Sequence, residues 1–502
     1  MDLTVENGLV FDGLGNPPRR LNVGIQGGTV TSLSEGLIAR APHTRVIDAS
    51  GHWVTPGPVR VRTPRRHHGA GGTRWANIWS ISKGSPWDRT WRRSWGTPRY
   101  GPADMKTVPL APLRLPAYLP ALDGLRGVAV MLVIAYHSLT GLRSASLGKL
   151  FQVGWAGVDL FFVLSGFLIT RILVQTRGHG GYFRTFYARR ALRISPLYFL
   201  VLAFSFGVMG RVLPALAFDT ERYPLALYAL YLQNLWLTDF GPAPINVTWS
   251  LAIEEQFYLV WPLLVFFLRN GQLRSLLWAC VLLSPVARLA ALWEGVTPFQ
   301  VYTMTLFRLD GLALGGLLAL GVVDGHATAD RLARWGRRLA VPSLVAAFGV
   351  SIAFFSHGRA VHMATALEGA GGPHVRALLV AGVYTLWAVG FASLLAWVLS
   401  GRAGGLQAVL RWSPLRFVGQ VSYGLYLFHA LVIPAGAAYT RPLFYRFIPS
   451  SLAATALGLL FEYAMLLALT VVSWRCFERP LLRLKDHFTY ADAPEKATSP
   501  TA

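Results

Sequence analysis

The stretch from Leu122 to Ser138 reads LDGLRGVAVMLVIAYHS. It is an apolar run of membrane-helix type that nonetheless holds Asp123, Arg126 and His137. Arg126 and His137 are eleven residues apart, roughly 16 Å along a helix that rises 1.5 Å per residue. If the run enters the bilayer at Leu122, Arg126 lies near one surface. His137 then lies about halfway through a hydrocarbon layer of about 30 Å. Ionisable groups at that depth are costly and face a cavity or a partner. A neutral imidazole is the side chain best suited to accept a proton near neutral pH, which makes His137 a candidate general base. The plain alternative is a histidine hydrogen-bonded between packed helices. Other apolar stretches repeat the anomaly. GVDLFFVLSGFLITR carries Asp159 and Ser165, YARRALRISPLYF carries Arg189, Arg190 and Arg193, and NVTWSLAIEEQFYLVWP carries Trp249, Glu254 and Glu255. FRLDGLALGG adds Arg308 and Asp310, and VSYGLYLFHALV adds Tyr423, Tyr426 and His429. A bundle that only has to pack gains little from so many buried polar groups, so they suggest a polar tunnel.

The elements that must position these residues follow from composition. Of 502 residues, 53 % are hydrophobic and only 14 % charged, far from the quarter charged of a soluble chain. The expected fold is an all-α polytopic membrane protein with about ten spans. These fall near 122–142, 151–174, 194–210, 255–269, 275–293, 303–323, 339–356, 377–400, 417–437 and 453–475. The segments 194–210 and 255–269 are at or below the lower length limit for crossing. A further stretch from Tyr223, YPLALYALYLQNLWL, is short and interrupted by Gln233 and Asn234, so it is expected to be re-entrant or to lie on the outer face. The net charge of +23 sits in loops between spans, where it sets topology. No recognition motif accompanies it, which argues against nucleic acid. Loop 175–193 has five Arg and no acid, and loops 324–338 and 401–416 are also basic. They share one side with both termini, expected to be the cytoplasm, in an inner or plasma membrane. Cys280 and Cys476 form neither a metal-spaced cluster nor a disulfide framework.

Residues 1–56 differ. NGLVFDG, LNVGIQGGTVTSL and RVIDASGHWVTPG read as short strands separated by turn residues. They resemble the N-terminal strands of the amidohydrolase superfamily. There, the phrase ending in TPG leads into a His-x-His metal pair. Here His67 and His68 are adjacent and point to opposite sides of a strand, so no metal site is expected. Residues 57–100 hold nine Arg and five Trp but one Asp, with no helical or strand period. The resulting division is a strand fragment (1–56), a basic linker of low order (57–114), a membrane domain (115–485) and a disordered tail (486–502). Residues 1–104 are expected to be dispensable. Asn246-Val-Thr matches a glycosylation sequon but sits close to the membrane.

From about residue 115 to 485 the chain resembles the membrane-bound acyltransferase-3 family of O-acyltransferases. The likeness lies in the order of Arg126 and His137, FFVLSGFLI, RRALRISP, WSLAIEEQFYL and SYGLYLFH. It implies an acyl-CoA co-substrate in the cytoplasm, acetyl-CoA by family habit, with no bound cofactor. It also implies an acceptor hydroxyl, on a glycan, lipid-linked sugar or secondary metabolite, reached from the other side. Under that resemblance His137 is the base. Arg189, Arg190 and Arg193 meet CoA phosphates, to which guanidinium is suited, although positive-inside topology explains part of that cluster. Arg126 binds the donor or pairs with Asp123. Glu255 orients His137, contacts the acceptor, or is an interfacial carboxylate. A polytopic transporter is the alternative, since buried charges also mark transport paths, but no internal repeat of the Arg126–His137 pattern is found.

Overall fold

Helix-forming apolar runs set the architecture. The computed structural model describes residues 2–10, 19–26, 29–34, 38, 44–49, 52–55, 80–83, 113, 115–116, 118–139, 151–239, 241, 243–355 and 373–490. Two units emerge, Met1–Val108 and Pro109–Ala502.

The second unit is helical. Its principal helices are α1 (Pro120–Ser138), α2 (Gly157–Thr176), α3 (Tyr182–Gly207), α4 (Trp249–Phe267), α5 (Asn270–Trp293) and α6 (Leu309–Val323). They continue with α7 (Ala329–Phe355), α8 (Pro373–Leu399), α9 (Ser413–Gln420), α10 (Ser422–Ala435), α11 (Arg441–Phe447) and α12 (Ser451–Ser473). Among the described residues eight helices are long and apolar enough to cross a membrane. The count reaches nine if α9 and the helix running on from α10, bent by 72°, form one span. The expected count of about ten is not confirmed among the described residues. The stretch expected at 339–356 is the second half of α7, whose first half carries Arg331, Arg334, Arg337 and Arg338. The two spans that looked short are longer, Tyr182–Gly207 and Pro244–Phe267. Their extra turns contain the arginines and glutamates that lower local hydropathy.

The stretch from Tyr223 is not a continuous helix. It forms two short helices, Leu225–Ala229 and Gln233–Trp236, separated by Tyr231 at a positive φ of 55°. The polar pair anchors it inward. Gln233 donates to the Thr248 carbonyl at 3.0 Å and Asn234 donates to Thr305 Oγ1 at 2.9 Å, while Leu230, Leu235 and Trp236 stay exposed. Asn246 is buried and accepts a hydrogen bond from the Tyr228 hydroxyl, which closes the sequon to sugar attachment in the folded chain.

Close helix contact depends on small residues. A Cβ at Gly166 of α2 would strike the Leu312 backbone, and one at Gly315 of α6 would strike Val163 and Phe167. Between these helices lies a network of buried charges. Arg288 of α5 donates to Asp310 (2.9 Å), to Thr385 of α8 (2.5 Å) and to the carbonyls of Phe307 and Ala381. Arg308 pairs with Asp159 at 2.6 Å and lies over the Tyr384 ring. Asp159, Arg308 and Asp310 thus tie α2, α5, α6 and α8 together.

The first unit is a six-stranded sheet of β1 (Leu3–Val10), β2 (Arg19–Gln26), β3 (Thr29–Ser34), β4 (Arg45–Asp48), β5 (His52–Thr55) and β6 (Ser80–Lys83). The order is β3-β2-β1-β5-β6, with β4 also paired to β1. Val5, Val10, Val23, Ile25 and Ala49 form its core. Asn7 takes a positive φ of 56° at a bulge in β1, a conformation asparagine tolerates. Strand β6 arises within the stretch read as aperiodic. Four residues among Arg and Trp are too few to show a period, and it pairs antiparallel to β5. His67 and His68 lie outside the described residues, as does the tail beyond residue 490.

Candidate functional site

Five helices converge on a cavity of about 80 Å3, room for a group such as a phosphate or an acetyl. Arg126 of α1, Ser165 of α2, Arg190 and Arg193 of α3, Glu254 and Tyr258 of α4, and Tyr423 and Tyr426 of α10 all reach it. The helical repeat decides who takes part. Ser250, Glu254 and Tyr258 recur at four-residue spacing on one face of α4, and all three line the cavity. Glu255, one step round the helix, does not; it is half-buried, with one carboxylate oxygen lacking a hydrogen-bond partner. Glu254 accepts hydrogen bonds from Ser165 Oγ at 2.7 Å and from the Tyr258 hydroxyl at 3.1 Å, so its position is fixed.

The arginines divide in the same way. Arg190 and Arg193, three residues apart, face the cavity, and Arg190 lies over the Tyr258 ring at 5.4 Å. Arg189 points elsewhere. Its Nε donates to the Phe488 carbonyl at 2.6 Å and its guanidinium lies over Tyr490. Among the described residues, Arg126, Arg190 and Arg193 have neither an ion pair nor a hydrogen bond to the protein. Asp123 does not pair with Arg126. It accepts from the Tyr118 hydroxyl at 2.6 Å and from Gln420 at 3.4 Å. The contrast with Arg288 and Arg308, both ion-paired, marks the cavity as a place for an anion or a polarised oxygen.

His137 lies outside the cavity lining, in the last turn of α1, which ends at Ser138. Its helical position is therefore terminal rather than central. Its Nδ1 is 2.9 Å from the Val133 carbonyl, and its ring centroid is 4.9 Å from that of His429 in α10. His429 is fully buried, with Nδ1 against the Tyr426 carbonyl. Tyr426 in turn lines the cavity, its hydroxyl 2.6 Å from Ser250 Oγ and donating to the Val247 carbonyl at 2.8 Å. The wall of the arginine cavity and the histidine pair thus share one helix. Trp249 packs on Tyr302 at 4.5 Å and, with Asp159, Arg308 and Asp310, stands apart from the cavity lining. Tyr423 lines the cavity and donates to the Ile194 carbonyl at 2.7 Å.

Sequence reasoning missed Arg288, Ser250 and Tyr258. It also missed the buried bidentate pair between Arg441 and Glu462, at 2.7 and 2.8 Å. For Ser250 and Tyr258 the four-residue spacing around Glu254 was an available signal. Arg288 and Arg441 each sit alone in their phrases and offered none. Among the described residues no group of three or more His, Cys, Asp or Glu side chains is placed to hold a metal ion.

The fold and cavity define a polytopic membrane protein with an unpaired arginine cluster beside a buried histidine pair. The chain belongs to the acyltransferase-3 family, whose model, described as an acyltransferase domain, matches residues 119–473. It is 31 % identical over 332 residues to the putative peptidoglycan O-acetyltransferase YrhL of Bacillus subtilis (strain 168), covering 63 % of this chain and 49 % of that one. It is 32 % identical over 334 residues to the peptidoglycan O-acetyltransferase OatA of Listeria monocytogenes, with the same coverage. It is 34 % identical over 225 residues to O-acetyltransferase OatA of Staphylococcus aureus, covering 41 % of this chain and 35 % of that one. The chain spans about half the length of the first two of these relatives. No solved structure matches. These matches lend no support to the amidohydrolase likeness of residues 1–56.

Proposed function

We propose that this chain is an integral membrane O-acyltransferase that moves an acyl group from acyl-CoA, arriving at the cytoplasmic face, to a hydroxyl on the far side. The names of its relatives favour acetyl as the group and a cell-wall glycan as the acceptor. The observation that carries the reading is the convergence of Arg126, Arg190 and Arg193 on one cavity with a single carboxylate, Glu254, in its lining and, among the described residues, no ion pair or hydrogen bond from any of the three to the protein. Guanidinium groups in that state suit the phosphates of a CoA donor. The basic loops favour a cytoplasmic location for this end of the bundle, in an inner or plasma membrane with both termini inside.

The residues then divide the work. The Val133 carbonyl can only accept, so His137 Nδ1 carries the ring hydrogen and Nε2 is the basic nitrogen. Nε2 takes the proton of the acceptor hydroxyl as its oxygen adds to the thioester carbonyl. Collapse forms the ester, breaks the C–S bond and returns the proton to the leaving thiolate. Glu254, locked by Ser165 and Tyr258, offsets part of the arginine charge so that the donor is held and still released. Glu255 is the carboxylate assigned to the acceptor side, and residues 1–104 take no part.

The test is acetyl transfer by the full chain in lipid nanodiscs, supplied with labelled acetyl-CoA and glycan fragments. Wild type is expected to form O-acetyl glycan and His137→Ala to insert normally without transferring. Wild-type turnover in His137→Ala would overturn the assignment of the base. Mass spectrometry of envelope glycans from cells with and without the gene identifies the acceptor.

A further inference from the structure

The strongest unexplained feature is His429. It is 0 % exposed, and its Nε2 is buried without a hydrogen-bond partner among the described residues. Its Nδ1 contacts the Tyr426 carbonyl. A carbonyl only accepts, so Nδ1 bears the hydrogen and Nε2 a lone pair. His137 is in the same tautomer, fixed by Val133. The ring centroids are 4.9 Å apart, which leaves no space for a third side chain between them. Each ring is tethered through Nδ1 to its own helix, so each Nε2 edge turns away from its own backbone. Buried acceptors without donors are rare and call for an explanation. The His429 Nε2 lone pair is satisfied once a proton arrives on the neighbouring ring.

We propose that His137 and His429 form one proton site, in which His429 Nε2 accepts a hydrogen bond from the Nε2–H that His137 acquires during transfer. This rests on the acyl-transfer reading above. The acceptor O–H bond breaks and an N–H bond forms on His137 as the oxygen adds to the thioester carbonyl. The proton is then held between the two nitrogens. When the tetrahedral adduct collapses, the ester forms, the C–S bond breaks and the proton passes to sulfur, so CoA leaves as its thiol and both imidazoles return to neutrality. Because His429 is fully buried, the second imidazole does the work that solvent would do for an exposed imidazolium. His429 acts through His137 and touches no substrate atom; it is a positioning residue. The Tyr426 carbonyl fixes its tautomer, and the Tyr426 hydroxyl reaches the arginine cavity, so donor site and proton site move as one piece.

The experiment pairs kinetics with histidine 15N NMR on the full chain in nanodiscs. His429→Leu is expected to lower kcat by about tenfold or more while KM for acetyl-CoA stays within about twofold. His429→Gln, whose amide oxygen can accept the same hydrogen bond, recovers part of that loss. Independently of turnover, the His137 Nε2 resonance moves in His429→Leu. An unmoved resonance would overturn the pair, and so would a rise in KM with kcat intact or a His429→Gln variant no faster than His429→Leu. Wild-type protein that transfers nothing from acetyl-CoA would instead overturn the donor reading, and the resonance would still decide the pair.

Discussion

Replacing the arginines of α3 one at a time separates donor binding from topology. A hydrogen bond to a charged group contributes about 1.5–3 kcal/mol, and each 1.4 kcal/mol is about tenfold in affinity. Arg190 is half-buried and already positioned over Tyr258 and Phe186, so little freedom is lost when it meets a phosphate. Arg190→Gln is therefore expected near the upper end, raising KM for acetyl-CoA by about a hundredfold. Arg193 has more exposed surface than Arg190, so Arg193→Gln falls near the lower end, about tenfold. Arg189 is committed to the Phe488 carbonyl and Tyr490; Arg189→Gln should change KM by less than about twofold. The assay is initial-rate kinetics with donor and acceptor varied separately, alongside cysteine labelling of the 324–338 loop to verify orientation. Equal effects at Arg189 and Arg190 would refute the division of the cluster by helical face. So would a rise in acceptor KM that tracks donor KM. Reversed labelling with unchanged donor KM would show that the charge serves topology alone.

Glu254→Gln removes the carboxylate facing three cationic groups, so the cavity becomes more positive and donor KM should fall severalfold; Glu255→Gln, outside the lining, should leave donor KM unchanged in the same assay. Arg288→Met leaves Asp310 buried without its cation, and should cost about 3–5 kcal/mol of stability, read as a lower midpoint of thermal unfolding in detergent. Adding Asp310→Leu to Arg288→Met should restore much of that loss, and no recovery would show that Arg288 acts through its carbonyl contacts instead. A chain beginning at Met105 should insert and transfer acetyl at the wild-type rate, since the family match begins at residue 119; loss of activity would assign the N-terminal sheet a role in the enzyme.

The architecture was legible because bilayer thickness turns hydropathy into length. Each expected span corresponds to a helix or, at 417–437, to a bent pair. The errors arose where charge and apolarity share one helix. The arginines of α3 and the glutamates of α4 lie within helices whose apolar cores alone looked too short, and α7 joins four arginines in its first half to an apolar second half. Hydropathy averages over a window and cannot register that a charged turn continues the same hydrogen-bonded rod. The break at Tyr231 was visible only indirectly, through Gln233 and Asn234, whose buried amides need partners that a lipid-facing helix lacks.

The site was legible in kind but not in phase. Sequence placed arginine, glutamate and histidine together, and geometry then separated neighbours that differ by one position: Arg190 from Arg189, and Glu254 from Glu255. One residue rotates a side chain by about 100° on a helix of 3.6 residues per turn, enough to move it from the cavity to the Phe488 carbonyl. The four-residue spacing of Ser250, Glu254 and Tyr258 held that phase information; a run of adjacent arginines conceals its own. The pairing of His137 with His429 had no local signature, because α1 and α10 lie at opposite ends of the membrane unit in sequence and meet only in the fold. The same holds for Arg288 with Asp310, where an isolated arginine in an apolar run gains meaning from a carboxylate on another helix. Buried charge thus indicates from sequence that a partner or a ligand exists. Which of the two applies depends on whether the folded chain supplies an ion pair: it does so for Arg288 and Arg308, and among the described residues it forms none with Arg126, Arg190 and Arg193, which share one carboxylate, Glu254, in their cavity.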